Sequence, residues 1–145
     1  MHWWMIACAT HGGITWFLLG LIWIVQRVHY PSMLYVEEVR FAEFEGMHCR
    51  RIGQIVAPAM IAEGALAVAL VLWAPTAAAQ GLAVIGAGLA GVIWWSTFFI
   101  QVPLHNRLQQ GKNTDTIRRL IATNWIRTAA WSLRGGTALG MLLTA

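Results

Sequence analysis

Residues 3–28 read WWMIACATHGGITWFLLGLIWIVQRV, a stretch with no acidic side chain and no basic one before Arg27. A helix that crosses a bilayer needs about 20 predominantly apolar residues to match a hydrocarbon layer of about 30 Å. This stretch is too long for a signal-peptide core and lacks a clean small-residue cleavage site, so it is expected to remain as a first span. Three further apolar runs come after it, at about 52–73, 81–104 and 117–143. The chain of 145 residues is 58% hydrophobic and only 11% charged, which is too oily for a soluble domain of this size. The expected fold class is therefore all-α: an integral membrane, up-down four-helix bundle forming a single domain over residues 1–145. Nine tryptophans suit headgroup belts and tight helix contacts.

The connections carry the polarity. Pro31 is expected to end the first span. The next stretch, 32–51, reads as an amphipathic interfacial helix that turns Phe41 and Phe44 toward lipid or core and leaves Glu37, Glu38 and Arg40 in water. Pro58 predicts a kink in the second span. Gly86, Gly88 and Gly91 at the start of the third span predict close helix contact. The first loop holds Arg27, Arg40, Arg50 and Arg51, and the third holds Arg107, Lys112, Arg118 and Arg119. The middle loop has no basic residue. This asymmetry predicts a bacterial inner-membrane protein with loops one and three cytoplasmic and both termini outside. Topology thereby accounts for the net charge of +4, and nucleic acid is not an expected partner.

Alternating spans bring the end of the first, the start of the second, the end of the third and the start of the fourth to one membrane face. His29, Glu45, His48, Gln101, His105, Asn124 and Arg127 occupy those ends. Helical spacing puts Gln26 with His29, Glu45 with His48, and Gln101 with His105 on shared faces. Polar faces point at one another rather than at lipid. Imidazole and carboxylate are the usual ligands of transition metals, so His29, Glu45, His48 and His105 are the candidate ligands of iron, copper or zinc. Glu45 and Arg127 are the candidate catalytic groups, with Gln26, Gln101 and Asn124 orienting ligands or cofactor. Haem is an alternative cofactor if His29 and His105 oppose each other across the bundle. A hydrogen-bonded interfacial network without metal is the plain alternative to all of these. The cysteines, Cys8 and Cys49, fall near opposite faces and read as small apolar fillers.

A second polar set lies deeper. At about 1.5 Å per residue, Glu63 is roughly 18 Å in from Arg51, and Arg134 is at a similar depth from Arg119. His11 is at a comparable depth in the first span. A charge so deep needs a partner, which predicts a buried Glu63–Arg134 ion pair with His11 near it. Holding helices in register is the expected role of such a pair, with transport or proton relay as the alternative.

Gln101-Val-Pro103-Leu-His105-Asn106 and Asn124-Trp-Ile-Arg127-Thr128 resemble two motifs of the small four-helix membrane proteins of the anthrone-oxygenase-like family. Those motifs are an Asn-x-Pro-x-Asn closing the third helix and an Asn-x-x-Arg-Thr on the fourth. Glutamine and histidine stand here where the family has its two asparagines. The segments around His29 and His48 look more like a group of bacterial inner-membrane proteins outside that pattern. The resemblance implies oxidation of a flat, apolar aromatic substrate. Together these readings predict a metal-dependent membrane oxidoreductase acting on an aromatic or quinone-like molecule. The alternatives are a haem-, pigment- or quinone-binding accessory subunit of a respiratory or photosynthetic complex, and a small dimeric transporter. Expected partners are the lipid bilayer, an apolar small molecule or quinone, and either further copies of the chain or a larger membrane complex.

Overall fold

The computed structural model describes residues 2–144, and among these there is helix and no strand. Helix α1 (His2–Ile24) continues through a π-helical segment, Val25–His29, into the short turn α2 (Tyr30–Ser32) and a 3-10 turn, Met33–Tyr35. Two extended residues, Val36 and Glu37, then reverse the chain. Helix α3 (Glu38–Leu72) is 35 residues long. Helix α4 (Ala77–Ser96) runs through a second π segment, Thr97–Gln101, into α5 (Val102–Leu108), and α6 (Thr114–Leu143) completes the fold. Side-chain caps set two of the starts: Thr76 Oγ1 accepts from Ala79 N at 3.2 Å and Asn113 Oδ1 accepts from Thr116 N at 2.8 Å. Gly111, with φ +147°, makes the turn between α5 and α6.

Three continuous helical stretches, His2–Tyr35, Glu38–Leu72 and Ala77–Leu108, are long and apolar enough to cross a membrane. The fourth long helix, α6, is not among them. Its length is ample, but it carries Asp115, Arg118, Arg119, Arg127 and Arg134. Asp115, Arg118 and Arg119 are exposed in its first turns, and its buried residues explain why it tolerates the other two. Ile117, Leu120, Asn124, Arg127, Trp131, Arg134, Ala138 and Met141 recur at intervals of three and four, so the polar members sit on the inward stripe.

Several local expectations are corrected. No separate interfacial helix exists over 32–51: residues 38–51 are the first part of α3, because nothing between Glu38 and Pro58 interrupts the backbone ladder. Phe41 is nonetheless fully buried, as the amphipathic pattern requires. Pro31 does not end the first helix; the break comes at Val36–Glu37. Helix α3 runs on through Pro58, which stands inside the helix where a proline kink is expected. Of the three glycines expected to allow close contact only Gly86 does so, since a Cβ there would lie 3.2 Å from Thr137 Oγ1, whereas Gly88 and Gly91 face open space.

Each of α1 and α4 packs against both α3 and α6, so the four long helices close a ring around the core. Trp4, Cys8, Leu70, Ala79, Ala83 and Met141 form an apolar cluster at one end. Leu18, Ile22, Met60, Ile93, Leu120 and Trp131 belong to a larger cluster toward the other. Between them lies a buried polar layer of His11, Glu63 and Arg134. At the far end Lys112 Nζ donates to Leu34 O at 2.9 Å and Val36 O at 2.7 Å, tying the two basic loops together.

Candidate metal centre and cavity

The site is built on two repeated backbone irregularities. Each π segment ends two residues before a proline, at His29 before Pro31 and at Gln101 before Pro103. Proline has no N–H to give the carbonyl four residues back, and its ring crowds that carbonyl. The chain instead closes wider turns, with Tyr30 N bonding Val25 O and Val102 N bonding Thr97 O. Such π turns are frequent at functional sites. Around these segments the members of each expected pair meet different helices. Gln26 turns to α6, donating from Nε2 to Ile121 O at 3.1 Å, while His29 turns to α3 and stacks on His48 with ring centroids 3.9 Å apart. Likewise Gln101 donates to Thr123 Oγ1 at 3.1 Å, whereas His105 faces Glu45.

Glu45 is the centre of the cluster and is fully buried. Its Oε1 meets His105 Nδ1 at 2.5 Å and accepts from the Cys49 thiol at 3.3 Å, and its Oε2 has no partner. The other ring nitrogen of His105, Nε2, is 2.9 Å from the Tyr30 hydroxyl. His48 lies beside both other imidazoles, 5.7 Å from His105 between centroids, and His29 Nε2 is buried without a partner. The three histidines expected at one end are therefore together, with Glu45 among them.

The atoms able to share one ion are a different subset. Glu45, Cys49 and His105 bring one ligand atom each within 4.8 Å of one another, and this group could hold a metal ion. His29 and His48 stand beside that trio instead of completing it. Sequence reasoning passed over Cys49 as a filler, although Glu45-x-x-x-Cys49 is the spacing that stacks two side chains on one helical face. It also passed over Tyr30, which nothing marked until the π turn delivered it to His105. A ligating histidine is ordinarily held through its second ring nitrogen, and Tyr30 occupies that place. Of the pair considered for haem, His29 is stacked on His48 and His105 lies 5.7 Å from His48 between ring centroids.

Beside the trio is a cavity of about 470 Å³. Tyr30, His48, Cys49, Gln101, His105 and Arg127 line its polar end, and Leu18, Ile22, Met60, Trp94 and Trp131 its apolar walls. Gln26 and Asn124 lie behind this surface. Asn124 Nδ2 donates to Gln26 Oε1 at 2.8 Å, and Arg127 NH1 donates to Asn124 Oδ1 at 3.3 Å. Gln101 and Arg127 thus reach the cavity, while Gln26 and Asn124 support them from the first π segment and α6.

The deeper set also meets. Arg134 donates from Nε and NH2 to Glu63 Oε1 and from NH1 to the Gly86 carbonyl. His11 Nε2 lies 3.2 Å from Glu63 Oε1 and 3.1 Å from Arg134 NH2, and Thr15 donates to the same carboxylate at 3.0 Å. All three charged or titratable groups are almost completely buried.

Fold and site together define an all-helical protein with membrane-length helices and a partly buried carboxylate–thiol–imidazole cluster beside an apolar cavity. No known protein family, no curated protein and no solved structure matches the chain.

Proposed function

We propose that the protein is a metal-dependent oxidoreductase of the bacterial inner membrane, acting on a lipid-soluble ring compound. One observation carries the reading: two members of the metal-capable trio, Cys49 and His105, are also walls of the apolar cavity. A molecule seated there lies next to the ligand atoms. Three protein ligands leave a coordination position for substrate, and a thiolate beside imidazole and carboxylate suits iron, copper or zinc. Iron or copper would supply electron transfer, while zinc would supply Lewis acidity alone.

In this reading α6 is a fourth span, with Arg127 and Arg134 turned inward and Arg118 and Arg119 at its exposed start. The two basic loops, joined through Lys112, face the cytoplasm, and the uncharged turn between α3 and α4 faces outward.

A second reading has its own support. Both ring nitrogens of His105 already have protein partners, so the cluster is a connected polar network even without an ion. The protein is then a metal-free binder of a lipid-soluble ring, serving a larger membrane assembly. Elemental analysis of freshly extracted protein separates the two. The first reading predicts about one iron or copper per chain, reduced at least tenfold in Cys49→Ser and His105→Ala. Absence of metal, or stoichiometric zinc alone, would remove the oxidoreductase.

A further inference from the structure

The polar end of the cavity contains a charge without a counter-charge. Arg127 is only 8% exposed, and among the described residues no carboxylate lies within ion-pair distance of its guanidinium. NH1 donates to the neutral Asn124, the Tyr30 hydroxyl lies beside the group, and Nε is buried with no acceptor. Arg134, two turns further along the same helix and equally buried, makes the contrast. It engages Glu63, the Gly86 carbonyl and His11. A buried cation left unpaired is costly, and an orphaned N–H adds to the penalty. That unmet need is reason to look for an anion from outside the chain.

The identity of the free atom narrows the choice. Nε belongs to the edge of the guanidinium that grips both oxygens of a carboxylate side by side. Arg127 lines the cavity, whose body is formed by apolar side chains that include Trp94 and Trp131. Ile61 of α3 and Phe98 of the second π segment also line it and are exposed on the outer surface of their helices, at 62% and 55%. The cavity therefore opens sideways between α3 and the end of α4, where a membrane-dissolved molecule can enter.

We infer that the cavity receives a lipid-soluble carboxylic acid, with its carboxylate on Arg127 and its apolar body against Trp94 and Trp131. This names the substrate class of the oxidoreductase reading and rests on it only in taking the cavity as the place where the substrate sits.

The test uses the full chain in detergent, titrated calorimetrically against empty-micelle blanks with two probes of one shape: 2-naphthoate and the neutral 2-naphthalenemethanol. A charge-assisted contact predicts naphthoate binding roughly ten- to a hundredfold tighter. Arg127→Gln is expected to abolish the preference and Arg127→Lys to retain part of it. Comparison of the two probes on the unmodified protein stands even if a variant fails to fold. Chelator-treated protein is expected to keep the preference, so the result stands apart from the fate of the metal centre. Equal affinity for the two probes overturns the inference. So does a preference that survives Arg127→Gln, or one that disappears when metal is removed, since the metal would then be reading the carboxylate.

Discussion

Glu63 and Glu45 are both buried carboxylates, and their surroundings give them different work. Every strong partner of Glu63 belongs to the polar layer between two apolar clusters, and Arg134 meets it with more than one nitrogen. That pair is a fastener. Glu63→Gln leaves the guanidinium buried without its counter-ion and is expected to cost about 3–5 kcal/mol, read from unfolding in mixed micelles. Replacing both partners, as Glu63→Leu with Arg134→Met, should recover much of the loss because no uncompensated charge remains. A loss below about 1 kcal/mol for Glu63→Gln would show that the pair does not hold the helices. Glu45 keeps one oxygen free and its other beside an imidazole and a thiol, as befits a ligand. The deep pair was legible from depth alone, since burial of either charge demands the other. The ligand trio was only half legible. Histidine and glutamate announce metal chemistry wherever they converge, but a lone cysteine in an oily chain looks like packing until its neighbours are known.

At the scale of the element, the informative features are the prolines that fail to break helices. The sequence reads Pro31 as a terminator, yet the backbone absorbs it in a π segment, and Pro103 is absorbed in the same way. Each irregularity rotates the downstream turns about the helix axis relative to the upstream ones. That rotation sends Gln26 and Gln101 to α6 while His29 and His105 reach α3. Intervals of three and four residues are a rule about regular helices, so they did not foretell that the members of each pair meet different helices, although Gln101 and His105 both reach the cavity. Pro103→Ala restores an N–H able to bond the Phe99 carbonyl and makes the ordinary turn available again. His105 would then swing by roughly 100°, the angle of one residue, away from Glu45. The expected outcome is a loss of bound metal with unchanged or slightly higher helicity by circular dichroism. Full metal occupancy in this variant would show that the π turn does not position the ligand.

Over the whole molecule, hydropathy marked three helices long and apolar enough to cross a membrane, but the fourth helix escaped the hydropathy rule. Asn124, Arg127 and Arg134 lower the average while lying on its buried side, so mean composition understates how apolar its outer face is beyond the exposed Arg118 and Arg119. Labelling with a membrane-impermeant maleimide tests its placement. In a cysteine-free background, Gln110→Cys should be protected in intact spheroplasts and labelled after lysis, while Thr144→Cys should react before lysis. Labelling of both from one side would mean that α6 does not cross.

The claim on which the function depends is that Glu45, Cys49 and His105 bind one ion together. X-ray absorption at the metal edge of the protein loaded with zinc reads this ligand set directly. The expected spectrum has one sulfur neighbour at about 2.3 Å and nitrogen or oxygen neighbours at about 2.0–2.2 Å, with the sulfur lost in Cys49→Ser. A first shell of nitrogen and oxygen alone in the unmodified protein, identical in Cys49→Ser, would contradict it.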